Sequence, residues 1–201
     1  MRKKLKRKKL KNLNKYYMRK INRNFDNPID NILVDISELL SPLFYKLNFT
    51  PNMITTLSLI AGLISIHFLK IKQYRLSAIL YFISYFFDCM DGFYARKYNM
   101  VSKFGDYYDH IKDVFISIIL IYLILKNQKN IKCKIILLVI FNFLSMIQLG
   151  CQERLYDKDE SDSLSFTKYL CPNPMSTIKW SRYFGCGTFI VIVCLFINSL
   201  V

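Results

Sequence analysis

Four aspartates lie close together near the middle of the chain, in two pairs whose spacings match the helical repeat. Asp88 and Asp91 are three residues apart, and Asp109 and Asp113 are four residues apart. Residues separated by three or four positions share one face of an α-helix. Because only a short segment at about 99–105 separates the two pairs, we predict two antiparallel helices whose carboxylates converge at one end.

Four carboxylates in one place repel one another, and ionisable groups at membrane depth are costly. Divalent cations such as Mg²⁺ or Mn²⁺ would neutralise them, and both ions also gather phosphate oxygens. Two such ions would clamp a diphosphate and stabilise the attacking and leaving oxygens of a displacement. Arg96 offers a guanidinium for phosphate, while Gly92, Ala95 and Gly105 leave room for a nucleotide and for close helix approach. The pattern therefore predicts a metal-dependent site for a diphosphate compound.

The elements that position these aspartates are predicted to be membrane helices. Hydrophobic residues make up 53% of the 201 residues, more than in an ordinary soluble domain. The apolar segments of sufficient length are about 53–69, 74–91, 106–125, 133–149 and 183–200. Residues 27–47 carry apolar side chains at helical spacing, which predicts an amphipathic helix lying in the membrane interface. We therefore expect an all-α, polytopic bundle of five transmembrane helices, or six if residues 151–182 contain a re-entrant piece.

Basic charge is concentrated at the N-terminus. Twelve of the 29 Lys and Arg residues lie within residues 1–24, which contain no acidic residue. This composition predicts that residues 1–26 form a disordered basic tail, and that residues 27–201 form the membrane domain. Basic segments beside a span stay on the cytoplasmic side. We therefore expect a multi-pass membrane protein with its N-terminus and its aspartates at the cytoplasmic face.

The six cysteines show no metal-ligand spacing such as C-x-x-C. Several of them lie in apolar segments, where a free thiol behaves as a small hydrophobic group. We therefore expect all six to be reduced and structural.

The segment from Asp88 to Asp113 follows the pattern D-x-x-D-G-x-x-A-R-x8-G-x3-D-x3-D. This pattern resembles the signature of the CDP-alcohol phosphotransferase family. Residues 50–55, TPNMIT, are similar to the P-N-x-x-T element that opens the first span of that family. The resemblance implies a phospholipid-biosynthetic enzyme that moves a phosphoalcohol group from a CDP-linked donor to an alcohol, with release of CMP.

The resemblance also implies a role for each matching residue. Asp88, Asp91 and Asp109 would ligate two Mg²⁺ or Mn²⁺ ions. Asp113 would ligate one of the ions and take the proton from the attacking hydroxyl, and His110 is a weaker candidate for that base. The residues implied to hold the donor are Asn52, Thr55, Gly92, Arg96 and Ser102.

The identity of the two substrates stays open at this point. In one version CDP-diacylglycerol is the donor and a small alcohol is the acceptor. In the other, CDP-choline or CDP-ethanolamine donates to diacylglycerol. In either version one substrate is a lipid, which is held at the bilayer. The resemblance also implies that the protein could form a homodimer.

Two other function classes compete with a transferase. A non-catalytic membrane protein could use its basic tail to bind anionic lipid or nucleic acid, but it would leave the aspartate pattern unexplained. A cation transporter would need carboxylates near the middle of the membrane, whereas these lie at the ends of predicted spans. We expect no specific nucleic-acid partner.

Overall fold

The computed structural model describes residues 19–126, 132–156 and 164–200, and this part of the chain contains helices and turns but no β-strand. Seven α-helices follow one another within these described residues. They are α1 (Pro28–Lys46), α2 (Pro51–Lys70), α3 (Tyr74–Lys97), α4 (Lys103–Lys126), α5 (Lys132–Leu155), α6 (Pro174–Ser181) and α7 (Cys186–Asn198). Two short 3₁₀ segments, Ser165–Leu170 and Arg182–Phe184, lie before and after α6. The predicted amphipathic helix is α1, within one residue of its expected bounds.

In the part of the chain that the structure describes, four stretches are long and apolar enough to cross a membrane: α2, α3, most of α5, and α6 together with α7. Helix α4 has the same length as α3, 24 residues, but its first half carries several charged side chains that lower its hydropathy. The prediction of an all-α membrane helix bundle is confirmed. The count of five or six spans stays a prediction.

Side chains bind the backbone amides at the start of helix α1 and a backbone carbonyl in its interior, all of which lack a partner within the helix. The Asn27 side chain accepts from the backbone amides of Ile29 and Asp30 and so caps the first turn. Inside the helix, Pro42 has no amide hydrogen to donate to the carbonyl of Glu38. The Nζ of Lys97, at the end of α3, donates to that carbonyl at 3.3 Å. This bond ties the interfacial helix to the helix that carries Asp88.

Helices α2 and α3 pack closely because small polar residues face each other along their contact. The hydroxyls of Ser58 and Ser84 each donate to the other residue's backbone carbonyl, both at 2.8 Å. Further along, Ser65 Oγ donates to the carbonyl of Ser77 at 2.8 Å. Small residues at such contacts let membrane helices approach, and their hydroxyls bond across the interface. The pairing fixes where α3 presents its aspartates.

A buried apolar core fills the opposite end of the bundle from the aspartates. It is formed by residues from α2, α3, α4 and α7, including Leu69, Tyr81, Leu120 and Ile197. This end is mainly apolar apart from the paired Ser65 and Ser77, whereas the buried charged groups gather where α3 finishes and α4 begins.

The packed part of the chain already includes residues 19–26, which the sequence analysis placed in the basic tail. The guanidinium of Arg19 is buried and donates to Asn31 Oδ1 at 2.8 Å and to Asp35 Oδ1 at 2.5 Å. Lys20 forms an ion pair with Glu153 of α5. These contacts extend the membrane domain toward the N-terminus, and the remainder of the predicted tail, residues 1–18, lies outside the described residues.

The expectation that all six cysteines are reduced was wrong for two of them. Cys151 and Cys171 form a disulfide that links the end of α5 to the residue after the first 3₁₀ segment. Cys89, Cys186 and Cys194 are free thiols, as expected. The disulfide escaped prediction because the 20-residue separation of the two cysteines carries no spacing signal.

Candidate active site

Three of the four predicted aspartates meet between α3 and α4. One carboxylate oxygen from each of Asp88, Asp109 and Asp113 lies within 4.8 Å of the other two. Asp88 comes from the second half of α3, and the other two come from the first half of α4. The antiparallel arrangement predicted from the spacing therefore does bring these carboxylates together.

Lys112, which the sequence analysis did not single out, lies in the middle of this cluster. Its side chain is 4% exposed, and its Nζ contacts Asp88 and lies 3.1 Å from Asp109 Oδ1 and 2.9 Å from Asp113 Oδ1. It also donates to Ser58 Oγ at 3.0 Å. One signal could have found it, because Lys112 is three residues after Asp109 and therefore shares its helix face.

Asp91 does not belong to the group of three, although it is buried close by. Its Oδ2 accepts a hydrogen bond of 2.6 Å from Thr55 Oγ1, which also donates to the carbonyl of Pro51. Thr55, expected to touch the donor, is therefore in contact with a predicted metal ligand. The bond attaches the start of α2 to the site end of α3.

Three polar or small residues from α2 and α4 meet beside the aspartates. A Cβ added to Gly105 would lie 3.0 Å from Asn52 Oδ1 and 3.1 Å from Ser102 Oγ. The amide of Gly105 donates to Ser102 Oγ at 3.1 Å, so Ser102 caps the first turn of α4. The structure thus brings Asn52 and Ser102 together, as predicted, and gives Ser102 a local structural role as well.

Gly92 and Arg96, one turn apart on α3, form the next part of the site. A Cβ added to Gly92 would lie 3.3 Å from Arg96 Nη1. Because Gly92 has no side chain, the Arg96 guanidinium can lie against the backbone of α3 at this position. Arg96 therefore points back along α3 by one turn and lines the same cavity as the aspartates, a position that suits a group for binding phosphate.

The His110 ring is held by a bond within its own helix. Its ring Nδ1 donates to the backbone carbonyl of Asp106 at 2.6 Å, and Asp106 Oδ1 lies 3.6 Å from the same nitrogen. This arrangement gives His110 a local partner in the first turn of α4.

The four aspartates, the predicted donor-binding residues and His110 all line one cavity of about 740 Å³. The cavity extends from the aspartates toward a second wall, built from the residues before α1, the first turn of α1 and the end of α5. The residues of that wall include Lys20, Asp26, Asp30, Gln148, Gln152 and Tyr156. None of them was predicted as a site residue.

Asp30 and Asp26 of this wall carry perturbed carboxyl groups. Burial, with the nearby charge of Asp26, raises the pKa of Asp30 to about 7, although a hydrogen bond from Tyr85 opposes the shift. Burial also raises the pKa of Asp26, against the opposing effect of the Asn27 amide and of Arg19. Tyr85 OH donates to Asp30 Oδ1 at 2.7 Å.

The aspartate cluster suits a hard divalent cation. Its donor atoms are all carboxylate oxygens, the type that Mg²⁺ and Mn²⁺ prefer. Asp109 Oδ1 is buried and has no well-formed hydrogen bond, although the Lys112 ammonium lies near it. A buried carboxylate oxygen left in this state is a natural ligand atom, so the residues fit a metal ion.

Residues 48–197 match the sequence profile of the family described as CDP-alcohol phosphatidyltransferase. The chain belongs to the CDP-alcohol phosphatidyltransferase family. The match covers α2 to α7 and contains every aspartate of the cluster. Together with the four candidate spans, membership of this membrane-enzyme family makes the chain an integral, multi-pass membrane protein. The resemblance drawn from the aspartate pattern is confirmed.

Curated relatives in this family include two phosphatidyltransferases. The chain is 40% identical over 65 residues to the CDP-diacylglycerol–glycerol-3-phosphate 3-phosphatidyltransferase of Rickettsia felis, a match that covers 31% of this chain and 36% of that protein. It is 37% identical over 68 residues to the CDP-diacylglycerol–serine O-phosphatidyltransferase of Bacillus subtilis, covering 34% of this chain and 38% of that protein. The chain thus spans little more than a third of these relatives' length. No solved structure matches it.

Proposed function

We propose that this protein transfers the phosphatidyl group of CDP-diacylglycerol to the hydroxyl of a small alcohol, with release of CMP. The observation that carries the proposal is the meeting of Asp88, Asp109 and Asp113 within 4.8 Å, on the wall of a cavity that also holds Arg96. Both relatives named above use CDP-diacylglycerol according to their names. They favour this donor over CDP-choline or CDP-ethanolamine.

The donor's diphosphate would lie between the aspartate cluster and Arg96. Arg96 supplies a planar, permanently charged group that can bind phosphate oxygens in pairs. Gly92 leaves space for that guanidinium, and Asn52 and Ser102 lie together at the same side of the cavity. Thr55 would act chiefly by orienting Asp91, to which it donates a hydrogen bond.

The lipid part of the donor would leave the cavity through an apolar side. Val114, Ile118 and Ile121 of α4 line the cavity, and each is also exposed on the outer surface of the bundle. Apolar side chains that face both a cavity and the bilayer suit acyl chains. This arrangement explains why a lipid substrate and a charged nucleotide could share one site.

Asp88, Asp91, Asp109 and Asp113 would hold two Mg²⁺ or Mn²⁺ ions. Such ions, when bound, neutralise phosphate charge and favour displacement at phosphorus. Asp113 would accept the proton of the acceptor hydroxyl. The hydroxyl oxygen forms a bond to the phosphorus that carries the diacylglycerol, the bond from that phosphorus to the oxygen of CMP breaks, and CMP leaves with the electron pair.

The basic tail suggests the orientation of the site. Positively charged segments beside membrane spans stay in the cytoplasm, so the N-terminus and the cavity would face that side, and the water-soluble leaving group CMP would be released there. A homodimer is the oligomeric state that family resemblance suggests. The non-catalytic alternative is a membrane protein that binds anionic lipid through its tail. This alternative does not explain the cavity and the aspartates that line it.

The proposal is tested by CMP release from purified protein in lipid nanodiscs with Mg²⁺. CDP-diacylglycerol with a mixture of small alcohols should release CMP, and CDP-choline with diacylglycerol should not. Excess EDTA should abolish release, and added Mg²⁺ should restore it. Asp109→Asn should be inactive, whereas Asp35→Asn, on the outer part of α1, should be active. Release that persists in EDTA would rule out the metal site, and no release with any donor would favour the non-catalytic alternative.

A further inference from the structure

The cavity has two ends, and helix α3 sets their order. Tyr85, Asp88 and Arg96 follow one another along α3, with Asp88 three positions after Tyr85 and Arg96 eight positions after Asp88. At 1.5 Å of rise per residue, Tyr85 lies about 4.5 Å from Asp88 on one side and Arg96 lies about 12 Å from it on the other. The donor groups are at the Arg96 end. The end beyond Asp88 is therefore left for the other substrate.

Residues at this second end form what we call the acidic chamber: Asp26, Asp30, Tyr85, Gln148 and Gln152. Asp30 reaches it from the first turn of α1 because Gly187 of α7 has no side chain, and a Cβ there would lie 2.2 Å from Asp30 Oδ1. Asp26 Oδ1 accepts from Gln152 Nε2 at 3.0 Å. All five residues line the cavity.

The framework of the chamber is rigid, which keeps its two carboxylates in place. Gln148 uses both ends of its amide, since its Nε2 donates to the carbonyl of Phe25 at 3.1 Å and its Oε1 accepts from Ser181 Oγ at 2.7 Å. Asn27 donates to the carbonyl of Arg182 at 2.7 Å. These bonds join the segment before α1 to α5 and to the residues before α7.

The balance of charge in the chamber is negative. Among the described residues that line the cavity, the lysine and arginine side chains are Lys20 and Arg96. Lys20 is in an ion pair with Glu153, and the positive charges of Arg19, Arg96 and Lys20 act on Asp26. The main charges that act on Asp30 are instead the carboxylates of Asp26 and Asp88. Among the described residues of the cavity wall, Asp30 is therefore the carboxylate that no lysine or arginine balances.

The negative charge of the chamber should favour alcohols without a phosphate group over phosphorylated alcohols. A phosphorylated alcohol would bring its anionic group next to two carboxylates in a partly desolvated space, where like charges repel strongly. Hydroxyl or ammonium groups would instead donate hydrogen bonds to the same carboxylates. The two relatives named above differ in this respect, because one uses a phosphorylated acceptor and the other uses serine by name.

We propose that the acidic chamber binds the acceptor, and that this acceptor is a small alcohol without a phosphate group, recognised through its hydroxyl or ammonium groups by Asp26 and Asp30. The proposal rests on the function proposed above. It places the acceptor hydroxyl on the Tyr85 side of Asp88, within reach of the Asp113 carboxylate. The chemistry of the acceptor is thus set by residues outside the aspartate pattern.

The test compares acceptors at fixed CDP-diacylglycerol and Mg²⁺, with CMP release as the measurement. Serine, glycerol and inositol are assayed singly beside glycerol 3-phosphate. We expect release with at least one unphosphorylated alcohol and at least tenfold lower kcat/KM with glycerol 3-phosphate. Release that is faster with glycerol 3-phosphate than with every unphosphorylated alcohol would overturn the inference while leaving the transferase function intact. No release with any acceptor would instead contradict the transferase function.

Variants of the chamber test the binding site itself. Asp26→Asn and Asp30→Asn should each raise KM for the preferred alcohol about tenfold, with a smaller change in kcat and an unchanged KM for CDP-diacylglycerol. Asp35→Asn is the matched control, because Asp35 is on the same helix but pairs with Arg19 and Arg23 outside the cavity. Equal acceptor KM values in the chamber variants, the control and the unmodified protein would overturn the assignment of the chamber.

Discussion

Lys112 and Asp113, neighbours in the chain, form an ion pair inside the carboxylate cluster, with Nζ 2.9 Å from Oδ1. The same ammonium also pairs with Asp88 and Asp109. A single lysine thus supplies positive charge at the place proposed above for the metal ions. Its contacts imply that a metal bound there would have to displace this ammonium or share the carboxylates with it.

Replacing Lys112 by Met should therefore change metal binding in a measurable way. Without the ammonium, the carboxylates repel one another in the metal-free protein and no longer have to release a lysine when Mn²⁺ binds. We expect a lower melting temperature in EDTA and a Kd for Mn²⁺ about tenfold lower, equivalent to about 1.4 kcal/mol. Thermal unfolding in nanodiscs, with and without Mn²⁺, measures both quantities.

The control for this experiment is Lys126→Met, at the other end of α4, where the side chain is exposed. It should leave both melting temperatures close to those of the unmodified protein. If Lys112→Met responds to Mn²⁺ no more strongly than the control does, the ammonium does not compete with the metal.

The aspartates of the cluster should divide into ligands and a base. Asp113→Asn retains an oxygen that can touch a metal ion but cannot accept a proton at neutral pH. It should keep most of the Mg²⁺-dependent affinity for CDP-diacylglycerol and lose roughly 10²–10⁴-fold in turnover, the usual contribution of a positioned base. Calorimetric donor binding and the initial rate of CMP release measure the two effects separately.

Asp91→Asn is the companion variant and should behave differently. Asp91 is buried and bound by Thr55, so its loss should weaken donor affinity and turnover together. A normal turnover in Asp113→Asn would contradict its role as the base, and would turn attention to His110. Loss of donor binding in Asp113→Asn as well would make it a ligand only.

Truncation of the N-terminus should reveal where the basic tail ends. Residues 1–18 hold nine of the basic residues, whereas Arg19 and Lys20 pair with residues of α1 and α5. Deleting residues 1–18 should weaken binding to anionic vesicles and leave turnover in detergent within about twofold of the full chain. Deleting residues 1–24 should in addition lower the melting temperature, because it removes the buried Arg19 contacts.

The two truncations control each other, since they differ only in residues 19–24. Both are measured by vesicle sedimentation, by CMP release in detergent and by thermal unfolding. Equal melting temperatures for the two would mean that the contacts of Arg19 and Lys20 add nothing to stability. Lost turnover in the shorter, correctly inserted deletion would place residues 1–18 in the active site.

Local pattern was enough to predict the parts of the site that lie on one helix or on two consecutive helices. The spacing of Asp88 and Asp91, and of Asp109 and Asp113, follows the helical repeat and does not depend on the rest of the fold. Helix starts were also readable, because Asn27 and Thr50 are capping residues followed by Pro. The predicted bounds of α1 and α2 consequently differ from the observed ones by two residues or fewer.

The features that escaped prediction depend on contacts between distant segments. The position of the Lys112 ammonium depends on Ser58 of α2 as well as on its own helix. Asp30 becomes part of the cavity only because α1 approaches α7 at Gly187. The pairing of Cys151 with Cys171 likewise depends on the path of the chain after α5. A single sequence does not show which residues from distant segments come into contact.

The last prediction concerns pH and follows from Asp30. Because burial raises its pKa to about 7, this carboxyl is mostly neutral at pH 6 and mostly ionised at pH 8. The groups around it that bear on its charge are Asp26, Tyr85, Asp88, Cys89, Cys186 and Lys20. Repulsion of an anionic acceptor should therefore increase as the pH rises through 7.

We expect the ratio of kcat/KM for the preferred alcohol over glycerol 3-phosphate to rise about tenfold from pH 6 to pH 8. That factor corresponds to about 1.4 kcal/mol, the interaction of two charges roughly 12 Å apart at an effective dielectric constant of about 20. Taking the ratio cancels the ionisation of the base and of the metal ligands, which affects both acceptors alike. Asp30→Asn cannot ionise and should show only the smaller change caused by the second ionisation of glycerol 3-phosphate itself. If the ratio changes with pH equally in Asp30→Asn and in the unmodified protein, Asp30 does not set the charge that the acceptor meets.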